Sequence, residues 1–263
     1  MVYFKTTNRD LKSLMLPINT LVKECRLNFT SEGINCRAVN PTNTAMIVVD
    51  YPKEIFKEYS IADTQIPTIK RNTTMGLEFE SLNRKIKYNE PKAILDISTV
   101  TATNAIGVET SMMIKSDGFS DKINLIDPSS IRKEPKIPEL KLNAVFTIPT
   151  KRFLKILNKS KYRGNKNKNS YSTSYIKFAT QNGKFITETF KDDIHPTTSE
   201  TVIETQESAK GYFDADELLK ITKIIKSKDI SIEMGVDYPI KIKFDILEKG
   251  KAEFMLAPRV ESE

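Results

Sequence analysis

Reaction chemistry needs proton carriers, nucleophiles or metal ligands at workable spacing, and this sequence holds few of them. Its one histidine, His195, lies in Asp192-Asp193-Ile194-His195-Pro196, and nothing marks a nucleophile beside it. A surface-loop histidine is the expectation. Cys25 and Cys36 are the two cysteines, too few for a four-ligand zinc site even with His195 added. They read as reduced thiols in strands, with a disulfide open only if geometry brings them together. No glycine-rich phosphate loop is present, and the carboxylates are scattered. These residues indicate no catalytic group, no metal and no cofactor, and the chain reads as a non-enzyme.

The side chains that are concentrated are basic. Eight Lys or Arg and no acid fall between Lys151 and Lys168: Lys151, Arg152, Lys155, Lys159, Lys161, Arg163, Lys166 and Lys168. Lys220, Lys223 and Lys226 form a second group, Arg84, Lys85 and Lys87 a third, and Lys12 and Lys23 a fourth. Spacings of three and four put several of these on one helical face. One such helix is ordinarily a solvated face. Four of them in a chain of net charge +7 point to a phosphate-facing surface. Such contacts position a protein on nucleic acid without reading its sequence. Aromatics are not interleaved with these residues, which argues against stacking on single strands.

The elements that must carry these residues occur twice. Asp10 to about Lys23 has Leu11, Leu14, Met15, Ile18, Leu21 and Val22 at helical spacing, and Pro17 is expected to shorten or kink that helix. A hairpin follows, Arg26–Thr30 and Ile34–Val39 around Ser31-Glu32-Gly33. Then come a helix from Leu77 to Lys87 and a strand at Ile94–Ile97. In the second half, Thr150 to about Lys161 is helical, with Phe153, Leu154, Ile156 and Leu157 as its apolar set. Tyr175–Ala179 and Lys184–Thr187 flank Gln181-Asn182-Gly183, and Asn-Gly is a strong hairpin signal. A helix from Ala215 to Lys226 precedes a strand at Ile230–Met234. The order helix–hairpin–helix–strand thus recurs about 135 to 150 residues on, as two copies of one domain. Between the copies, Ile126–Pro138 carries three prolines and reads as an extended linker. The Lys/Asn/Ser-rich stretch Tyr162–Thr173 reads as a mobile loop.

With 263 residues, each half is long enough to bury its own core. No apolar stretch approaches the roughly 20 residues of a membrane helix, and the N-terminus lacks a signal-peptide pattern. An intracellular protein is expected.

Four segments resemble the proliferating cell nuclear antigen family of DNA sliding clamps, above all its archaeal members. Glu32-Gly33-Ile34-Asn35-Cys36-Arg37-Ala38-Val39-Asn40-Pro41 resembles the family's "DGI..RAMDPS" stretch, and Tyr51–Tyr59 its "lP..iF..Y". Asp237-Tyr238-Pro239-Ile240-Lys241-Ile242 resembles its "d.Pl.ie". The tail, Phe254-Met255-Leu256-Ala257-Pro258-Arg259-Val260-Glu261, follows its "yyLAPRiE" almost letter for letter. The order and separation fit along the whole chain.

This resemblance implies an α+β, duplicated DNA-clamp fold: two similar domains, each with two helices packed on antiparallel sheets, assembling into a trimeric ring. The domains would be 1–125 and 142–263, joined by a connecting loop at 126–141. The helices would line a bore around duplex DNA, with Lys12, Arg84, Lys85, Lys87, Lys151, Lys155, Lys159, Lys220 and Lys223 facing it. A partner-peptide pocket would be lined by Val39, Met46, Ile131, Ile137, Pro138, Pro239, Met255, Leu256, Ala257 and Pro258. Subunits would meet through Phe119, Lys122 and Ile123 on a strand at Phe119–Asn124, and Phe190 and Ile194 on a strand near Phe190–Thr197. The implied partners are double-stranded DNA bound without sequence preference, DNA polymerase, flap nuclease, DNA ligase and a clamp loader. The chain would also meet itself as a homotrimer, or a paralogous clamp subunit. No cofactor and no membrane are implied.

The chain departs from the family in being net positive, with the basic run after Lys151 where archaeal relatives tend to carry acids. Pro196 also falls in the expected boundary strand, where it cannot donate a ladder hydrogen bond. Three alternatives therefore stand beside a homotrimeric clamp. They are a subunit of a heteromeric ring, a specialised viral or mobile-element clamp, and a monomeric basic adaptor that docks peptides or nucleic acid.

Overall fold

Alternation at the N-terminus, Val2-Tyr3-Phe4-Lys5-Thr6, builds a strand with every second side chain buried. The computed structural model describes residues 1–61, 73–101, 109–159, 175–189 and 197–259. These residues fall into two units. Unit 1 is Met1–Pro41, Ile47–Lys136 and Ile246–Ala252; unit 2 is Thr42–Met46, Ile137–Asp245 and Glu253–Glu263. The division between Lys136 and Ile137 lies inside the proline-bearing stretch read as a linker.

Unit 1 opens with β1 (Val2–Thr7) and α1 (Asn8–Leu21), then β2 (Glu24–Thr30), β3 (Gly33–Val39) and β4 (Ala45–Pro52), whose first two residues belong to unit 2. β5 (Glu58–Ile61), β6 (Thr73–Glu78), α2 (Phe79–Ile86), β7 (Ile94–Thr101), β8 (Glu109–Ser116) and β9 (Phe119–Asn124) follow. One antiparallel sheet has the order β5-β1-β7-β8-β9, and β6, β2, β3 and β4 lie side by side in another. Unit 2 holds β10 (Ala144–Pro149), α3 (Thr150–Lys159), β11 (Tyr175–Gln181), β12 (Lys184–Thr189) and β13 (Thr197–Val202). It continues with β14 (Ala209–Asp214), α4 (Ala215–Thr222), β15 (Asp229–Met234), β16 (Ile240–Ile246) and β17 (Gly250–Leu256), of which Ile246 and the first three residues of β17 belong to unit 1. Its sheet order is β13-β12-β11-β14, and β10, β15 and β16 pair in sequence. The strand–helix–hairpin–helix–strand order occurs in both units, so the fold is the duplicated α+β arrangement the sequence indicated.

The helices differ from expectation at their ends, for local reasons. α1 starts at Asn8 because the Thr7 hydroxyl accepts from the Asp10 N–H at 3.1 Å. Pro17 does not end it; the helix runs on to Leu21. Burial of Leu11, Leu14, Met15 and Ile18 on one face outweighs the one hydrogen bond that proline removes. α2 begins at Phe79 rather than Leu77, since Leu77 and Glu78 are still paired with Cys25 and Glu24 in the β2–β6 ladder. α4 stops at Thr222 rather than Lys226. Its last residues turn tightly instead, with Ile224 N–H bonding the Ile221 carbonyl and Ile225 N–H the Thr222 carbonyl.

Turn chemistry matches the hairpins. Asn182 (φ 50°) and Gly183 (φ 71°) both occupy the left-handed region that a two-residue turn between β11 and β12 requires. Each unit has its own aromatic core. In unit 1, Phe4 lies 5.2 Å from Phe56 and 6.1 Å from Phe29. In unit 2, Phe178 meets Phe185, Phe213 and Phe153 at 5.1, 5.6 and 5.8 Å. Each such buried ring contributes roughly 2–3 kcal/mol of burial. Cys25 and Cys36 are buried free thiols, and the hydrogen bond between them together with burial pushes the Cys25 thiol well up.

Candidate DNA-facing helices, sheet edges and linker

α1 and α2 bury one face and expose a basic one. Leu82 and Ile86 face inward on α2, leaving Arg84, Lys85 and Lys87 outside. Between the two helices lies a cleft of about 530 Å³ lined by Lys12, Asn19, Lys23, Glu78, Glu80, Asn83, Arg84 and Lys87. Lys12, Arg84 and Lys87, all expected to face DNA, therefore come together. Lys87 Nζ also sits 5.2 Å from the centroid of the exposed Tyr88 ring. Lys85 is turned away from them and pairs with Asp121 on β9 at 3.0 Å.

In unit 2, α3 buries Phe153, Ile156 and Leu157 and exposes Lys151, Lys155 and Lys159. Arg152 leaves that stripe and ties α3 to β13. Its Nε donates to the Thr201 hydroxyl at 3.3 Å, and its Nη2 to the Ser199 hydroxyl at 3.4 Å and the Glu200 carbonyl at 3.0 Å. On α4, Lys220 pairs with Glu217 at 2.6 Å, and that hydrogen bond raises its pKa. Lys223 caps the helix and is exposed.

In each unit a basic helix flanks a sheet edge: β9 beside α2 in unit 1, and β13 beside α3 in unit 2. β13 lies at Thr197–Val202 and pairs with β12 along its length. Of the expected strand at Phe190–Thr197, residues 190–196, Pro196 among them, lie outside the described residues. Phe190 and Ile194 lie outside the described residues, as do His195 and the stretch 162–173. On β9, Phe119 is 76% exposed and Lys122 is exposed, whereas Ile123 is buried in unit 1 and offers the edge only its backbone.

The residues expected to line a peptide pocket differ in burial. Ile137 and Pro138 are exposed; Val39, Pro239, Ala257 and Pro258 are half-buried. Met46, Ile131, Met255 and Leu256 are buried, as core residues would be. In unit 2, the Ala257 N–H donates to the Thr44 carbonyl at 2.8 Å, fixing the start of the Ala257-Pro258-Arg259 tail, and Arg259 pairs with Asp214 at 3.2 Å.

Arg152 and Lys85, which hold the edge strands, were read from sequence as part of basic runs. No periodicity signals which of several lysines or arginines on a helix meets a neighbouring strand. Among the described residues, no group of three or more His, Cys, Asp or Glu could hold a metal ion, and no helix is long and apolar enough to cross a membrane.

Residues 136–259 match the family model for the proliferating cell nuclear antigen C-terminal domain. The chain is 30% identical to the DNA polymerase sliding clamp of Archaeoglobus fulgidus, with 98% of each chain covered. It is 29% identical to that of Methanococcoides burtonii, with 96% of each covered. Among solved structures, A. fulgidus PCNA with the C-terminal region of FEN-1 bound superposes over the full length of both chains, with a TM-score of 0.82 and 29% identity. The PCNA2–PCNA3 complex of Sulfolobus tokodaii matches in fold, with a TM-score of 0.74, 20% identity, and 98% of this chain and 100% of that one covered.

Proposed function

The chain belongs to the proliferating cell nuclear antigen family of DNA polymerase sliding clamps, and on that premise we propose that it closes into a ring of three clamp subunits around duplex DNA. The observation that carries this reading is the pair of open sheet edges, β9 in one unit and β13 in the other, each beside a basic helix. Two different edges on one chain give a head-to-tail contact, which closes a ring when the rotation allows. The basic helix faces then meet phosphates loosely enough to slide, because such contacts are sequence-independent and exchange with counterions. Lys12, Arg84, Lys87, Lys151, Lys155, Lys159 and Lys223 are the proposed DNA-facing residues. Lys85 and Lys220, each already paired with a carboxylate, contribute less.

The proposed domains are 1–125 and 142–263 joined by 126–141. The chain catalyses nothing itself, needs no cofactor and works on DNA inside the cell. It tethers DNA polymerase, flap nuclease, DNA ligase and the clamp loader through Val39, Met46, Ile131, Ile137, Pro138, Pro239 and the Met255–Pro258 tail. The relative solved with the C-terminal region of FEN-1 bound supports a peptide as the occupant.

Retention on circular DNA tests the topological part. Loaded on a nicked circle by a clamp loader, the protein co-elutes with the DNA and is lost when the circle is cut once. Retention on the cut DNA would replace encirclement with simple polycation binding.

A second reading has one observation in its favour. The helices beside both edges are basic: Arg84, Lys85 and Lys87 near β9, and Lys151, Arg152, Lys155 and Lys159 near β13. Like charges then face each other across a self-contact, which favours a partner clamp subunit with an acidic edge. The PCNA2–PCNA3 complex is a heteromeric arrangement of this fold.

A further inference from the structure

The β2–β3 hairpin carries two arginines, Arg26 on β2 and Arg37 on β3. Its register sets Asn28 against Asn35, each two residues from one of them. Partly buried guanidinium groups need acceptors close by. The linker supplies them. Arg26 Nη2 donates to the Ile131 carbonyl, and Arg37 Nη1 donates to the Pro135 carbonyl at 3.2 Å. Asn28, on the same face, donates to the Glu134 carboxylate. Arg132 of the linker donates in return to the Asn40 carbonyl at 3.4 Å.

The linker is also fixed at its start. The Ile126 N–H donates to the Gly76 carbonyl at 2.9 Å, and Ile131 is buried against Gly76. Arg26 and Arg37 reach the linker only through their terminal nitrogens, since the Nε of each is buried without a protein partner. The two arginine anchors grip main-chain carbonyls, so the Lys133 and Lys136 side chains remain exposed.

We infer that Arg26, Asn28 and Arg37 are positioning residues for partner docking: they hold Ile131–Pro135 in one conformation before any partner arrives. The inference rests on the reading of this chain as a clamp that docks peptides along its linker. Three prolines make the linker extended, but extension alone does not fix its place. A segment ordered only at the moment of binding weakens the complex by the cost of that ordering. A segment already tied down by charge-assisted hydrogen bonds avoids the cost.

The test measures hydrogen exchange at the linker amides and binding of a peptide from the C-terminal region of FEN-1, on the full chain. Arg26→Ala and Arg37→Ala are expected to speed exchange at 131–134 by roughly ten-fold while amides elsewhere hold their rates. Peptide affinity should fall by about five- to ten-fold, and Arg37→Lys should restore part of both. Should an alanine variant fail to fold, Asn28→Ala, which releases Glu134 of the linker along with the Asn35 and Thr74 side chains, gives the same two readouts. Linker amides that exchange at free-peptide rates in the unmutated chain would overturn the inference. So would variants that loosen the linker without weakening the peptide. Protected linker amides in a chain that binds no peptide would overturn the docking reading, and the role with it, while leaving the anchoring in place.

Discussion

Lys85 Nζ on α2 lies 3.0 Å from the Asp121 carboxylate on β9, so one lysine of a basic helix is engaged by the sheet edge while its neighbours Arg84 and Lys87 line the cleft toward α1. The difference is measurable on DNA. Removing one phosphate-binding charge lowers the slope of log affinity against log salt by roughly 0.9. Lys87→Ala is expected to lower the slope by about that amount and Lys85→Ala by much less. Fluorescence anisotropy with a labelled duplex across a salt series reads both, and equal slopes for the two variants would remove the distinction.

The charges beside the two edges set how assembly responds to salt. With basic helices on both sides, self-association should strengthen as salt rises from low to moderate, because screening relieves repulsion. Lys155→Glu together with Lys159→Glu leaves the Arg152 bonds to β13 in place and reverses one side. That variant should associate more tightly than the unmutated chain at low salt, by several-fold in dissociation constant. Light scattering after size exclusion measures it; a trimer of the unmutated chain that weakens steadily with salt would contradict the prediction.

Asp127 gives a pH dependence with a definite sign. Its carboxylate accepts from the Ser129 N–H at 2.8 Å, and hydrogen bonds from Ser129 hold its carboxyl below the usual range. A folded pKa lower than the unfolded one means the cap's contribution is fully present above the unfolded value, near pH 4, and is lost as pH falls through the folded value. The Ser129 amide resonance should therefore shift below about pH 4. In Asp127→Asn, which keeps an acceptor but cannot ionise, the shift should vanish. A midpoint at or above the ordinary aspartate value would count against the bond.

Gly76 tests the packing beneath the linker. A Cβ there would lie 2.3 Å from the Ile126 carbonyl oxygen and 2.6 Å from Ile131 Cδ1. Gly76→Ala should push the linker off β6 and cost about 1–3 kcal/mol in denaturant unfolding. An unchanged midpoint would mean the backbone at Ile126 gives way freely.

Much of the chain was legible because its signals are local. Helical spacing located the four helices, and Asn182-Gly183 located a hairpin, since turn geometry and amphipathic faces are set by neighbours a few residues apart. The motifs from Glu32 to Pro41 and from Phe254 to Glu261 carried the family. Where expectation missed, a distant strand made the difference. Leu77 and Glu78 stay in a strand because β2 pairs with them.

The sequence by itself determined the duplication, the basic helix faces and the linker's extended character, all of which follow from periodicity, charge spacing and proline chemistry. Only the tertiary structure decided what each charged side chain touches. Arg26 and Arg37 meet linker carbonyls about a hundred residues away, and Arg152 meets β13. A guanidinium has the same propensity whether it faces a phosphate, a carboxylate or a carbonyl. Its partner is chosen by the packing that brings remote backbone within hydrogen-bond reach, which no local pattern encodes.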